Sequence, residues 1–327
     1  MSGRVSDPSV CRFAADVLRR KLRALLKERE GVRAAEGSEH IHRMRVAARR
    51  VRAALDLFED CFPKKQFAAW RKSVRQLTRA LGAARDCDVQ LAFLAGFASG
   101  LRDPLLRPGV ERLRLRLTQN RSMLQAKVIR AIDRFEESDV AAAMKDALSD
   151  LAPDGKVPAA IEPEGSIRRL AAARISACLD HLLRYEPYVV DASAVAEHHA
   201  MRIAAKRFRY TMEVFEPVFG DALRSALTAA KDVQEQLGDI HDCDVWVDCI
   251  REFEAAERLR TMEYFGHLDT FSELIPGLEA VRQDRAGTRT VQHTRFEAYW
   301  KNLEAEWVWQ VLRDAMEAHG QPKGRRT

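Results

Sequence analysis

Residues 42–58 read HRMRVAARRVRAALDLF and residues 199–215 read HAMRIAAKRFRYTMEVF, and the two segments align without a gap at an offset of 157 residues. His42 meets His199, Arg45 meets Arg202, Arg49 meets Lys206, Arg50 meets Arg207 and Arg52 meets Arg209. A second pair of segments follows in the same order, LGAARDCDV at 81–89 and LGDIHDCDV at 237–245, at an offset of 156. Two blocks in one order at almost one spacing indicate an internal duplication, and a duplicated chain builds one supersecondary unit twice. Residues 150–166 hold three prolines and two glycines, the chemistry of a linker. The expected division is a half over 1–152, a linker over 153–165 and a second half over 166–327.

Ala, Leu, Arg and Glu dominate, and long stretches lack Gly and Pro, which favours helix. Periodicity and breakers predict helices over 8–29, 39–60, 65–98 and 110–149, the last broken near Ser138. The second half reads as helices over 166–185, 195–216, 221–255, 258–272 and 289–318. Alternating strands are absent, so the expected class is all-α, with an antiparallel bundle in each half.

On a helix, Met44, Ala48, Val51, Leu55 and Phe58 form one apolar stripe, and His42, Arg45, Arg49 and Arg52 form a second about 100° away. In the second copy Met201, Ala205, Phe208, Met212 and Phe215 are apolar, beside His199, Arg202, Lys206 and Arg209. Arg50 and Arg207 fall off the main basic stripe. Each helix is thus held by one face while an adjacent face presents a ladder of cations about one turn apart, roughly 5–6 Å. Like charges so placed repel, and acids appear only after the stripe ends, at Asp56 and Glu59. An anion with repeated charges relieves that repulsion. Arginine suits bidentate contact with phosphate oxygens, and histidine donates when protonated. His40 and His198 do not align with each other and read as surface histidines.

The second blocks supply two Asp-x-Asp patterns, Asp86 with Asp88 and Asp242 with Asp244. Such carboxylates either hold a divalent cation or orient neighbouring arginines. Orientation is favoured, because residues two apart on a helix point about 200° from each other. Gly82 and Gly238 read as points of close helix packing. His241-Asp242 resembles the metal pair of HD phosphohydrolases, but the first copy has Arg85-Asp86, and arginine is no metal ligand. No GxGxxG, P-loop, HExxH or GxSxG pattern occurs. No metal, cofactor or catalytic residue is expected.

Net charge is +6 with a pI near 9.1, which points to an anionic partner without naming it. The six cysteines lack paired CxxC spacing and read as buried small hydrophobes in a reducing cytoplasm. The first residues lack a signal-peptide core and no apolar run is long enough for a membrane span, so a cytoplasmic protein with no membrane partner is expected.

The motif His-x-x-Arg-x-x-x-Arg/Lys-Arg-x-Arg, present twice and followed by Leu-Gly-x-x-Arg/His-Asp-x-Asp, resembles the CHAD family of conserved-histidine α-helical domains. The resemblance spans both halves. It implies two homologous antiparallel four-helix bundles related by a pseudo-twofold axis, with basic helices lining a groove that binds inorganic polyphosphate. The implied binding residues are His42, Arg45, Arg49, Arg50, Arg52, His199, Arg202, Lys206, Arg207 and Arg209, supported by Asp86, Asp88, Asp242 and Asp244. Members associate with polyphosphate granules, and some carry a fused triphosphate-tunnel domain for which this chain shows no strand-rich region. The expectation is non-catalytic polyphosphate binding. The alternatives are a metal-dependent phosphohydrolase and a nucleic-acid-binding helical protein. Nucleic acid is disfavoured: aromatics are 7% and none interleaves the first ladder.

Overall fold

The computed structural model describes residues 7–151 and 165–320. The expected linker lies almost wholly outside the described residues, and Gly165 already begins a helix. The helices are α1 (Pro8–Lys27), α2 (Arg29–Arg33), α3 (Ser38–Leu57), α4 (Lys64–Gly100), α5 (Arg107–Glu137) and α6 (Asp139–Leu151), then α7 (Gly165–Leu183), α8 (Val195–Phe219), α9 (Arg224–Phe265), α10 (Asp269–Ser272), α11 (Ile275–Ala305) and α12 (Val308–Gly320). Short 3-10 turns join several of them, and the described residues contain no strand.

Local chemistry sets most boundaries. Asp7 caps α1 by accepting from the Ser9 amide at 2.9 Å, with Pro8 in the first turn. Ser138, extended at ψ 138°, separates α5 from α6 where a break was expected. Two expectations for the second half need correction. No break divides 221–255 from 258–272: α9 continues through Ala255 and Ala256, good helix formers, to Gly266, whose positive φ of 74° supplies a left-handed cap. The helix expected over 289–318 instead starts at Ile275, with Pro276 in its first turn, and is split at Trp307, whose φ is 55°.

Packing follows the same order in both halves. α1 packs on α3, α3 on α4 and α4 on α5; α7 packs on α8, α8 on α9 and α9 on α11. A fifth helix, α6 or α12, extends each set of four. Both apolar stripes are buried, Met44, Ala48, Val51, Leu55 and Phe58 in α3 and its cap, Met201, Ala205, Phe208, Met212 and Phe215 in α8. The buried apolar residues of the two halves form one continuous core.

The halves meet through residues in duplicate register. Ser9 and Ser166, 157 apart, approach at 3.1 Å between hydroxyl oxygens. Phe58 and Phe215, also 157 apart, meet with ring centroids 6.0 Å apart. Gly109 of α5 faces Gly277 of α11; a Cβ on Gly109 would collide with the Leu274 carbonyl, and one on Gly277 with the Leu106 carbonyl. Close helix packing therefore uses these glycines and not Gly82 and Gly238. A Cβ at Gly82 would meet only the Arg45 Nε at 3.9 Å, and one at Gly238 nothing within 4 Å, so neither lies against a neighbouring backbone.

Two further expectations are corrected. Cys11 and Cys61 are not separate thiols but form a disulfide, with Cα atoms 5.2 Å apart, because α1 lies against the turn that follows α3. His198 is no surface residue: it is buried with its Nε2 2.9 Å from the Tyr188 carbonyl. His40 is half-buried and faces Glu28 at 3.0 Å.

Candidate anion-binding ladder

α3 and α8 pack on each other, and the direct contact brings the central rungs of the two ladders into one electrostatic neighbourhood. Lys206 is the clearest reporter. Burial first, then the nearby charges of Arg49, Arg202, Arg52 and Arg45, push its amine down to about 7. Arg45 and Arg202 are shifted down as well, by burial and then by charges that include Arg49 in both cases. No carboxylate lies within ion-pair distance of Arg49, Arg52, Arg202 or Lys206 among the described residues, although Asp242 acts on Arg202 from further away. The Nε atoms of Arg45, Arg202 and Arg209 and the Nδ1 of His42 are buried without a protein acceptor. Buried donors without acceptors are uncommon in folded proteins and mark a place where an acceptor from outside is suited.

The ladder's ends differ. His199 and His241 face each other, Nδ1 to Nδ1 at 3.1 Å, so at least one ring must be neutral. Burial, followed by Arg202, His199 and Lys206, drives His241 down to about 4; burial and then Arg202 lower His199. In the first half the position of His241 is Arg85, which together with burial lowers His42. The Arg85/His241 position, given no binding role in the sequence reading, thus acts on the motif histidine in both halves.

Each Asp-x-Asp pair splits between two neighbours. Asp86 accepts from Arg45 at 3.0 Å while Asp88 accepts from Arg121 of α5 at 2.6 Å. Asp244 accepts from Arg289 of α11 at 2.5 Å, and Asp242 lies near Arg202 with its own carboxyl raised by burial. These carboxylates act on arginines in divergent directions, which matches the 200° separation. No group of three or more His, Cys, Asp or Glu residues is arranged to hold a metal ion among the described residues.

Arg50, Arg207 and Arg209 stand apart from the central rungs. Arg50 makes two hydrogen bonds to Glu213 of α8, at 2.8 and 3.1 Å, and ties the halves together. Arg209 is 3.7 Å from the same carboxylate and lies over the Tyr210 ring at 4.9 Å. Arg207 is exposed on the side of His181, whose ring it helps keep neutral after burial. Glu213 and Tyr210 are missed by motif reading because a lone acid or aromatic within a cationic helix carries no spacing signal.

Residues 16–251 match the CHAD domain family. The chain belongs to the CHAD family. Its fold is similar to the crystal structure of the CHAD domain from the plant Ricinus communis, with a TM-score of 0.67 at 22% identity over 90% of this chain and 91% of that one. PptA from Streptomyces chartreusis is also similar, with a TM-score of 0.54 at 17% identity over 88% of this chain and 98% of that one. No curated protein matches at the sequence level. The all-α CHAD fold is therefore established, and no helix among the described residues is long and apolar enough to cross a membrane.

Proposed function

We propose that the facing ladders of α3 and α8, arranged about a pseudo-twofold axis, bind inorganic polyphosphate as one extended site and perform no chemistry on it. Membership of the CHAD family supports association with polyphosphate in general. The particular site rests on the crowding of Arg45, Arg49, Arg52 and Arg202 around a Lys206 held near 7 without an ion-paired carboxylate. Such a cluster repels itself, and a chain carrying one charge per phosphate neutralises successive rungs in one binding event. Linked contacts then reinforce one another, as in any multivalent complex. The counterparts that meet across the halves, Ser9 with Ser166 and Phe58 with Phe215, support the twofold arrangement. Binding without catalysis is the reading the carboxylates favour, since their orientation toward separate arginines leaves no convergent pair to activate water.

The test is calorimetric titration with polyphosphate, with duplex DNA at equal phosphate concentration as competitor. Wild type should bind polyphosphate with an affinity that falls steeply with salt, as counterions are released. Arg49→Ala with Arg202→Ala should weaken it by at least about tenfold, or ~1.4 kcal/mol. Displacement of polyphosphate by DNA would overturn the ligand assignment, and release of orthophosphate in the presence of Mg²⁺ or Mn²⁺ would overturn the non-catalytic reading.

A further inference from the structure

A cleft of about 720 Å³ lies between α4, α5 and the start of α6, with none of the ladder residues in its lining. Lys72 and Arg79 line it from α4, and Lys127, Arg130 and Arg134 from α5; no carboxylate is among its lining residues. Ala80, Ala131 and Phe135 contribute its apolar wall. Some other arginines on these helices are neutralised, Arg71 by Asp56 at 2.9 Å and Arg121 by Asp88. The five cations of the cleft form no ion pair among the described residues.

The bundle itself does not require them. In duplicate register, Lys72, Gln76 and Arg79 of α4 stand where α9 has Thr228, Asp232 and Glu235. The pairs Asp88–Arg121 and Asp244–Arg289 bring α5 and α11 into register too, and Arg130 and Arg134 stand where α11 has Ala298 and Asn302. Lys127 alone keeps a cationic counterpart, Arg295, so the second half packs the same helices with one cation and two acids at the matching positions. Only the first half carries the cationic cleft.

The cleft is also continuous with the ladder. Asp86, which holds Arg45, and Arg79 are seven residues apart on α4, so they lie on nearly one face about 10 Å apart. Lys72 continues that line by another seven residues, and exposed Arg75 lies beside it. Beyond Asp86, which Arg45 neutralises, Arg79, Arg75 and Lys72 therefore lead over α4 to the cleft. All five cleft cations are exposed and spread along the helices, with no buried donor to orient a compact ligand. A flexible chain of repeated charge suits that layout better than a small rigid anion.

We propose that this cleft is a second station for the same condensed phosphate chain, entered from the ladder across Arg75 and Arg79, used by long chains and giving the ligand one preferred exit through the N-terminal half. The proposal rests on the ladder reading above. Its test is calorimetry on the full-length protein with long-chain polyphosphate and with tripolyphosphate. Arg130→Gln with Arg134→Gln should weaken the long chain about tenfold, the effect of losing part of a linked set of contacts, and leave tripolyphosphate within about twofold. The control, Arg258→Gln with Arg295→Gln, removes the same charge from exposed sites elsewhere and should change neither. Circular dichroism should be unchanged in both variants, since all four side chains are exposed. Equal weakening of both ligands, equal loss in the control, or no loss with the long chain would overturn the second station while the ladder stands. Wild type that binds neither ligand would overturn both.

Discussion

Lys206 occupies a position that the free protein tolerates at a cost and that a bound anion would relieve. Its amine, held near 7 by burial and four arginines, is part-neutral at physiological pH. Phosphates would draw it back toward its ordinary range, so binding takes up a proton once the pH exceeds 7. The sign follows: affinity is full near pH 6 and declines as pH rises toward 9, by up to about tenfold per unit for one proton. Titrations across that range, in buffers of different ionisation enthalpy, measure both the decline and the proton. Lys206→Met should weaken polyphosphate binding yet stabilise the free protein. A gain of ~1 kcal/mol would raise the melting temperature by about 1.5 °C in a scan without ligand. A fall in melting temperature would show that Lys206 is structural. The ladder itself is legible in the sequence because cations at helical spacing recur twice. The isolation of Arg50 by Glu213 is not, because that pair joins residues 163 apart.

At the level of the helices, the crossing of α5 and α11 depends on two glycines that no motif marks. Gly109→Ala should cost about 1–3 kcal/mol in urea unfolding, since the new methyl would meet the rigid Leu274 carbonyl. Gly82→Ala should be neutral or stabilising by up to ~1 kcal/mol, because its Cβ would find open space and helix propensity improves. A loss at Gly82 equal to that at Gly109 would contradict the packing described. Helix existence is legible from period and composition across most of the chain. The boundaries missed, at 256–257 and 275, turn on interactions outside the local window. Ala255–Ala256–Glu257 offers no breaker, and the helix runs through it. That glutamate is 1% exposed and is held by arginines of another helix.

For the molecule as a whole, that glutamate is a clamp between halves. Glu257 of α9 accepts from Arg112 at 2.7 Å and from Arg116 at 2.7 and 2.9 Å, both on α5. Burial raises its carboxyl, but the hydrogen bonds from Arg116 and Arg112 outweigh burial and bring it to about 2, below the ordinary 4.5. Its contribution is therefore fully present above pH 4.5 and lost as pH falls through 2. Glu257→Gln should cost about 3 kcal/mol at pH 7, the low end for a broken buried pair because Arg112 is 43% exposed. The gap from wild type should close between pH 4.5 and 2 in chemical denaturation; a gap independent of pH would refute the clamp. Such contacts across the chain are hidden from sequence reading, which sees neither which distant arginines turn inward nor which acid receives them.

Two identical half-length chains in a dimer could place Ser9 beside Ser166 and Gly109 beside Gly277, but every change in one copy would appear in the other. Within one polypeptide, matched positions are free to differ. Arg85 stands where the other half has His241, and Lys72 where it has Thr228, on helices packed in the same order. One polypeptide can therefore give a nearly symmetric scaffold two unlike ends, which the proposed ligand would meet as a head and a tail.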